Sequence, residues 1–237
     1  MNPDKTRLNI AAIIPARGGS KGLSKKNILP ICGHPLISWS IKQAQLANHI
    51  SSTWVTSEDS DILEIASSYG SGVIKRPKEL ALDSSTSESA WIHAIDYLYS
   101  LGIEPDFVIG MQATSPIREP KDLDGAISSV VKNNYDSLLS VTEIEDYFTW
   151  EKDSDSNCRP LNYDPNNRKR RQEINKLYIE NGSFYLFKPS LIKSYNNRLS
   201  GRIGIYSIEK YKSFQIDNKE DFKICSAILK EYGFNQS

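Results

Sequence analysis

The chain has 237 residues, of which 39% are hydrophobic and 24% charged, and its 29 basic residues balance 29 acidic ones. This length and composition predict a single globular domain large enough to bury a sizeable core. A formal net charge of zero removes any global attraction to nucleic acid or to an anionic membrane surface, so neither is predicted as a partner. An anionic ligand would have to be bound by a local cluster of cations.

Two further features bear on where the protein works. The first apolar run, residues 10–14, is too short for a signal-peptide core, and no later run approaches the roughly 20 apolar residues of a membrane span. The three cysteines, Cys32, Cys158 and Cys225, are far apart and form no Cys-x-x-Cys pair, which disfavours a zinc site or a disulfide framework. These features predict a cytoplasmic protein with reduced thiols.

Short β-rich runs alternate along the chain with segments of helical periodicity. The runs cover residues 10–14, 53–56, 73–75, 107–111, 137–141, 184–187 and 203–208. Apolar residues spaced as on one helix face predict helices around residues 62–69, 91–98, 123–130 and 224–232. The alternation predicts an α/β fold, a mainly parallel Rossmann-like sheet with helices on both faces. Because ligands of such sheets bind beyond the carboxyl ends of the strands, the segments that follow strands are the first candidates for a site.

One long segment, residues 142–176, interrupts this alternation. It is polar and contains Pro160, Pro165 and a basic cluster at residues 168–171. A stretch of this length without regular elements is typical of a lid, an arm or an interface. We therefore predict one domain over residues 1–237, with an inserted arm or dimerisation segment at 142–176. The basic cluster is open to three interpretations: a solvated charge run, an anion site, or a nucleic-acid patch, which slight aromatic interleaving disfavours.

The segment directly after the first predicted strand is rich in glycine and in cations. Residues 15–27 read Pro-Ala-Arg-Gly-Gly-Ser-Lys-Gly-Leu-Ser-Lys-Lys-Asn. Its glycines let backbone N–H groups approach a polyphosphate closely. The cations that would neutralise the phosphates are Arg17, Lys21, Lys25 and Lys26. Neither a Gly-x-x-x-x-Gly-Lys-Ser/Thr nor a Gly-x-Gly-x-x-Gly run is present, which disfavours a P-loop NTPase and a dinucleotide-dependent oxidoreductase. A mobile basic surface loop is the alternative interpretation.

Five blocks of the sequence resemble one family, the cytidylyltransferases that make CMP-sialic acid and related CMP-nonulosonates. Residues 14–27 match the family signature Ile-Pro-Ala-Arg-x-x-Ser-Lys-Gly-x-x-x-Lys-Asn. The other blocks are Arg-Pro-Lys-Glu-Leu-Ala at 76–81, Gln-Ala-Thr-Ser-Pro-Ile-Arg at 112–118, Tyr-Ile-Glu-Asn-Gly-Ser-Phe-Tyr at 178–185 and Ser-Phe-Gln-Ile-Asp at 213–217. Because they occur in family order and cover nearly the whole chain, the resemblance is to the family as a whole.

The resemblance implies roles for individual residues. Those implied to carry catalysis are Lys26, Arg17 and Asp217. Those implied to bind the nucleotide are Arg17, Gly18, Ser20, Lys21, Lys26, Asn27, Arg76 and Ser87, the last two at the cytidine. Those implied to face the acidic sugar are Gln112, Arg171 and Tyr185, with Arg170 as an adjacent alternative to Arg171. Asp217 is the implied Mg²⁺ ligand, and its competing interpretation is stabilisation of the N-terminus of the following helix.

The resemblance also implies the reaction and its participants. In the implied reaction, the anomeric hydroxyl of a nine-carbon 2-keto acid sugar attacks the α-phosphorus of CTP. The implied cofactor is Mg²⁺, and the implied assembly is a homodimer. Positioning and charge neutralisation supply most of the catalysis. Many family members have Asp-x-Asp where this chain has Gln215 and Asp217, a difference that points to a diamino nonulosonate such as legionaminic acid, rather than sialic acid itself, as the acceptor. Two alternatives remain: the same chemistry on the eight-carbon acid Kdo, and a catalytically silent nucleotide-binding regulatory module.

Overall fold

The computed structural model describes residues 8–19, 22–144 and 148–234, with the main chain alone for Arg171. The strands are β1 (Ile10–Pro15), β2 (Pro30–Ile31), β3 (His34–Pro35), β4 (Ser52–Ser57), β5 (Gly72–Lys75), β6 (Phe107–Met111), β7 (Ser137–Ile144), β8 (Trp150–Lys152), β9 (Cys158–Pro160), β10 (Leu177–Phe187) and β11 (Ile203–Ser207). The α-helices are α1 (Leu36–Leu46), α2 (Ser60–Ser68), α3 (Ser87–Ser100), α4 (Pro120–Asn133), α5 (Pro189–Tyr195) and α6 (Lys219–Glu231). No helix in these residues is long and apolar enough to span a membrane.

Within the described residues, seven strands form the central sheet in the order β11-β7-β10-β6-β1-β4-β5. Neighbouring strands run parallel except at β10, which is antiparallel to both β6 and β7. The prediction of a mainly parallel sheet is therefore confirmed. The runs of β-rich sequence mark its strands, and β6 has the predicted bounds, 107–111.

The two faces of β1 show why the sheet is covered on both sides. Ile10, Ala12 and Ile14 belong to one buried cluster, which also contains apolar residues of α1, α2 and α4. Ala11 and Ile13 belong to a second cluster, formed with α3 around the fully buried Trp91. Successive side chains of a strand point to opposite faces, so a strand without polar positions requires helices on both. Full burial of one such isoleucine contributes about 1.5–3 kcal/mol.

The segment predicted as an arm is partly regular in the structure. Residues 142–144 continue β7, and the first part of β10, Leu177 to Glu180, pairs with residues 141–144 as an extension of the sheet. Between the two strands lie the hairpin of β8 and β9 and a short 3-10 helix (Arg171–Glu173). The sequence did not predict these elements, because their strands are short and largely exposed and therefore lack the buried apolar pattern on which strand prediction depends.

The strand order places a crevice at one edge of the sheet. From β1 the chain runs outward through β4 to β5, and it then returns to β6 on the other side of β1. The segments that follow β1 and β6 consequently leave the sheet in different directions. In open α/β sheets, a reversal of this kind leaves a ligand-binding crevice beyond the carboxyl ends of the strands.

Candidate active site

A cleft of about 420 Å³ opens at this edge, between the segments that follow β1, β5 and β6. The glycine-rich segment, the loop before α3 and the residue before the N-cap of α6 contribute to its walls. The predicted site residues that line it are Arg17, Lys26, Asn27, Arg76, Ser87, Gln112 and Asp217. The fold therefore brings together, around one cavity, residues that are up to 200 positions apart in the sequence (17 to 217).

The glycine-rich segment is held in place by a buried side chain. Asn27, in a short 3-10 helix (Lys26–Ile28), donates from Nδ2 to the carbonyl oxygen of Arg17 at 2.9 Å. Its Oδ1 atom is buried and has no hydrogen-bond partner among the described residues. Because a buried acceptor without a partner costs free energy, Oδ1 favours a ligand that brings a hydrogen-bond donor.

Lys26 and Asp217 form an ion pair in the cleft. The Lys26 Nζ atom lies 2.9 Å from Asp217 Oδ1, and the two side chains are 13% and 72% exposed. The Asp217 segment is fixed by the N–H of Ile216, which donates to the carbonyl oxygen of Thr114 at 2.9 Å. It also packs against Gly22, where a Cβ would lie 2.1 Å from the carbonyl oxygen of Asp217. An ion pair with so exposed a carboxylate contributes little to stability, so Lys26 can exchange Asp217 for an anionic ligand.

The Asp217 side chain is not the cap of α6, and a stabilising effect of its charge on the helix N-terminus stays a prediction. Asn218 is the N-cap, and its Oδ1 accepts hydrogen bonds from the N–H groups of Glu220 and Asp221. The Asp221 carboxylate completes the cap by accepting from the N–H groups of Asp217 and Asn218. The Asp217 carboxylate takes no part in this capping box and contacts Lys26 instead.

Arg76 is buried and paired with a carboxylate that the sequence analysis did not single out. Its Nη2 atom donates to Glu58 Oε2 at 3.0 Å and to the carbonyl oxygen of Ala16 at 3.1 Å. The other oxygen of Glu58 accepts from the backbone N–H of Gly18 at 2.7 Å. Burial raises the pKa of Glu58, but the backbone N–H groups of Glu58 and Gly18 and the Arg76 guanidinium outweigh it, so the pKa lies below its ordinary value.

Gln112 is positioned through its main chain. Its N–H donates to the carbonyl oxygen of Ser183 at 3.1 Å, and its own carbonyl accepts from Nη2 of the fully buried Arg118 at 3.1 Å. Arg118 also donates from Nε to Gln43 Oε1 at 2.8 Å. Burial lowers the pKa of Arg118 to about 9, so the guanidinium stays charged at neutral pH. Arg118 therefore ties β10 and α1 to the residue that lines the cleft.

Tyr185 is not among the residues that line the cleft. It is buried in β10, with its ring centroid 6.0 Å from that of Trp91 and 4.3 Å from the guanidinium carbon of Arg198. Its hydroxyl donates to Glu180. Burial, followed by this hydrogen bond, raises the pKa of Tyr185. The structure thus places Tyr185 outside the set of residues that line the cleft, and its contact with the sugar stays a prediction.

The cations of the glycine-rich segment do not all face the cleft. Arg17 forms an ion pair with Asp83 at 2.8 Å, and both residues line the cleft. Lys25 instead pairs with Asp61 of α2 at 2.9 Å and does not line the cleft. Gly18 also lies outside the lining, because its N–H is directed to Glu58. The sequence pattern did not distinguish among these cations. Of the loop cations that the structure describes, only Arg17 and Lys26 line the cleft.

Three predicted site residues lie wholly or partly outside the part of the chain that the structure describes. Ser20 and Lys21 fall in the undescribed residues 20–21. Arg171 is described by its main chain alone, in the 3-10 helix that begins at this residue. Their predicted contacts with phosphates and with the sugar carboxylate stay predictions.

The Asp217 carboxylate fits a single Mg²⁺ ion whose other ligands are phosphates of the substrate. Among the described residues no group of three or more His, Cys, Asp or Glu side chains is arranged to hold a metal ion. Mg²⁺ is commonly bound by one or two carboxylates together with substrate phosphates, so a lone exposed carboxylate in a cationic cleft is sufficient. Gln215 donates from Nε2 to the carbonyl oxygen of Asn181, and its amide nitrogen is therefore engaged by the protein.

Sequence reasoning missed two residues that organise the cleft. Glu58 directly follows β4, and Asp83 lies in the loop before α3. The signal for Glu58 was its place at the carboxyl end of a parallel strand, the edge at which ligands collect. No sequence signal identified Asp83, since its partner Arg17 is 66 residues away.

Beyond the first strand of the mainly parallel sheet, a cationic, glycine-rich loop and the Asp217 carboxylate that faces it form a cleft of the kind that binds phosphate groups. The family model described as Cytidylyltransferase matches residues 11–234. The chain therefore belongs to the cytidylyltransferase family, and the family resemblance predicted from its sequence blocks is confirmed.

Individual relatives agree with this membership. An N-acylneuraminate cytidylyltransferase A of Danio rerio is 35% identical over 229 residues, 95% of this chain and 52% of the relative. A pseudaminic acid cytidylyltransferase of Campylobacter jejuni is 33% identical over 175 residues, 73% of this chain and 75% of the relative. The chain thus spans about half the length of the vertebrate relatives it matches.

Two solved structures share the fold. A CMP:2-keto-3-deoxy-manno-octonic acid synthetase complexed with CTP has a TM-score of 0.72 and 15% identity, and the match covers 94% of this chain and 99% of that one. A 4-diphosphocytidyl-2C-methyl-D-erythritol synthase has a TM-score of 0.70 and 12% identity, with coverage of 94% and 100%. At such identities the likeness concerns the fold alone, and it agrees with the predicted α/β architecture.

Proposed function

We propose that the protein transfers CMP from CTP to the anomeric hydroxyl of a nine-carbon 2-keto acid sugar, such as sialic acid, legionaminic acid or a related nonulosonic acid, and releases pyrophosphate. The observation that carries the proposal is the cleft itself. It combines two loop cations, Arg17 and Lys26, with a buried Arg76 and an exposed Asp217. The relatives named for N-acylneuraminate and pseudaminic acid support an acceptor of this class.

The chain's own residues account for the charge changes of the reaction. A bond forms between the anomeric oxygen and the α-phosphorus, the bond from that phosphorus to the oxygen that bridges to the β-phosphate breaks, and the hydroxyl proton passes to solvent. Negative charge grows on the leaving pyrophosphate, and Lys26 is placed to neutralise it once it leaves Asp217. Asn27 and Arg76 line the same cleft and hold the nucleotide in position.

Mg²⁺ is proposed as the cofactor, with Asp217 as its protein ligand. When bound, it supplies further positive charge to the phosphate oxygens. The Asp217 carboxylate is exposed and contacts Lys26, so ligand entry can separate the two side chains at small cost.

Asp217→Asn is expected to reduce Mg²⁺-dependent turnover by about 100-fold, because it removes the charged metal ligand. The midpoint of thermal unfolding should change little, since the Asp217 side chain takes no part in the α6 cap and the substitution keeps its main-chain hydrogen bond. The measurement is pyrophosphate release across a Mg²⁺ titration. Glu220→Gln, an exposed position two residues inside α6, is the matched control. Unchanged turnover and unchanged Mg²⁺ dependence in Asp217→Asn would remove Asp217 from the metal site.

An acceptor screen tests the proposed reaction. Purified protein is incubated with CTP, Mg²⁺ and, in separate reactions, N-acetylneuraminic, legionaminic, pseudaminic and Kdo acids, and pyrophosphate is measured. Release with a nine-carbon acid supports the proposal, and release with Kdo alone reassigns the acceptor. Tight CTP binding without release from any acceptor favours the silent regulatory module instead.

We propose a homodimer formed through the arm. Apolar side chains are exposed on the extended part of β10 and near the β8–β9 hairpin. They are Trp150, Leu161, Leu177, Tyr178 and Ile179. Large exposed apolar side chains that follow one another along a strand, as at 177–179, favour a protein–protein contact there.

Sedimentation velocity is expected to show a dimer that Ile179→Glu converts to monomers, because a charge in an apolar interface is costly to desolvate. Leu101→Glu, at an exposed apolar position beyond the end of α3, is the control and should leave the dimer intact. A monomeric wild-type protein at micromolar concentration would contradict the proposed assembly.

We also propose that the reaction takes place in the cytoplasm. All three cysteines are free, and Cys225 is buried. Unpaired thiols are typical of proteins that work in a reducing compartment.

A further inference from the structure

We propose that Glu58 is a positioning residue for the nucleotide: one carboxylate holds the Arg76 guanidinium and the glycine-rich loop in a fixed relation before CTP binds. The inference rests on the proposed function, since it assigns Arg76 to nucleotide binding. Glu58 is not itself part of the cleft lining and acts through its two partners.

The two oxygens of Glu58 contact two different loops. Oε1 accepts from the N–H of Gly18, in the loop after β1, at 2.7 Å. Oε2 accepts from Nη2 of Arg76, directly after β5, at 3.0 Å. Glu58 itself follows β4, the strand between β1 and β5. From its position after β4, the Glu58 side chain therefore links the loop after β1 to the loop after β5.

Close packing keeps the glycine loop against this turn. A Cβ on Gly18 would lie 2.2 Å from Oδ2 of Asp59, the residue after Glu58. The Lys75 ammonium donates to the carbonyl oxygen of Glu58 from the β5 side. The carboxylate therefore sits on a backbone that is restrained by both neighbouring strands, as a positioning residue requires.

Burial makes the charge of Glu58 necessary. The Arg76 side chain is 4% exposed and that of Glu58 15%. A guanidinium removed from water requires a paired negative charge, and loss of one partner of such a pair is strongly unfavourable. The carboxyl stays ionised at neutral pH, because its hydrogen bonds outweigh the effect of burial and keep its pKa below the ordinary value.

The pairing also determines which donors of Arg76 remain available. Nη2 donates to Glu58 and to the carbonyl oxygen of Ala16, so both of its hydrogens are engaged. The Nε atom is buried and has no partner among the described residues. Because Arg76 lines the cleft, its pairing with Glu58 fixes the orientation of a side chain that borders the bound ligand.

Glu58→Gln tests the inference, because it preserves shape and removes one acceptor and the charge. A glutamine can accept from Gly18 or from Arg76, but its NH₂ group then faces the second donor. We expect the Kd for CTP, measured by calorimetry without an acceptor, to rise about 10- to 100-fold, the effect of one lost charge-assisted hydrogen bond. In turnover assays KM for CTP should rise, while KM for the sugar stays within about twofold of the wild-type value.

Two controls separate positioning from a general structural role. Glu64→Gln, at an exposed position of α2, should bind CTP as the wild type does. In an Arg76→Met background, Glu58→Gln should add little further loss, since residues that act as a unit are not additive. Equal, additive losses in both backgrounds would overturn the inference, as would a lowered unfolding temperature with an unchanged Kd for CTP.

Failure of the inference can be distinguished from failure of the proposed function. Wild-type protein that does not bind CTP contradicts both, whereas wild-type binding with unchanged affinity in Glu58→Gln overturns the role of Glu58 alone. If Glu58→Gln does not fold, Glu58→Asp keeps the charge but is too short to reach both donors. It should then show the same selective rise in KM for CTP, and an unchanged KM for CTP would overturn the inference.

Discussion

Lys26→Met is expected to lower kcat for CMP transfer by about 10²- to 10³-fold, the typical effect of removing one preorganised group that stabilises developing charge. Lys26 is the cation of the glycine-rich loop that is nearly buried in the cleft, 13% exposed, with its ammonium 2.9 Å from Asp217. Charge develops on the leaving pyrophosphate during transfer, so the loss should appear in kcat as well as in kcat/KM. Single-turnover measurement of CMP-sugar formation reads this step directly.

The neighbouring residue supplies the matched control. Lys25 belongs to the same loop but is paired with Asp61 of α2, outside the cleft. Lys25→Met should therefore keep kcat within a few-fold of the wild-type value. Both variants lose one ion pair with an exposed carboxylate, which contributes little to stability, so their unfolding midpoints should fall by no more than about 4 °C. Equal activity of the two variants would contradict the assignment of Lys26.

Lys212→Met is expected to destabilise the fold by about 3–5 kcal/mol, because it leaves the buried Asp122 carboxylate, and the partly exposed Glu119 and Glu209, without their counter-charge. The Lys212 side chain is 0% exposed, and its ammonium lies 2.7 Å from Glu119, 2.9 Å from Asp122 and 2.7 Å from Glu209. Burial lowers the pKa of Lys212, but the three carboxylates outweigh it and raise the pKa. A raised folded-state pKa gives stabilisation that is complete below the unfolded-state value, roughly 10.4, and hence present at neutral pH.

Urea unfolding at neutral pH measures this loss. Lys121→Met is the control, since Lys121 contacts the same Glu119 at 2.9 Å but is exposed, and its loss should lower the free energy of unfolding far less. Lys212 lies in the segment that precedes Asp217 in the chain. Its hydrogen bond to Asp122 joins this segment to α4. A cost for Lys212→Met no larger than that for Lys121→Met would show that the carboxylates find other partners or take up protons.

Most of the sheet could be predicted from the sequence, because its strands are marked by buried, β-rich runs and its helices by apolar periodicity. Gly70 and Gly102 lie just beyond α2 and α3 with a positive φ, 77° and 74°, a conformation that favours glycine, so a glycine after an apolar helical pattern marks such helix ends. The extended part of β10 was not readable. Residues 177–180 are exposed, and their strand conformation depends on pairing with the end of β7.

By itself, the sequence determined the alternation of strands and helices, the cationic loop beyond β1 and the family, since each is carried by local patterns. The tertiary structure alone decided which loop cations serve the cleft. Lys25 and Lys26 are adjacent, yet their side chains reach Asp61 and Asp217. It also decided that Glu58 joins Gly18 to Arg76. The physical reason is that strand order brings these residues together, and strand order results from packing of the whole chain, which local periodicity does not encode.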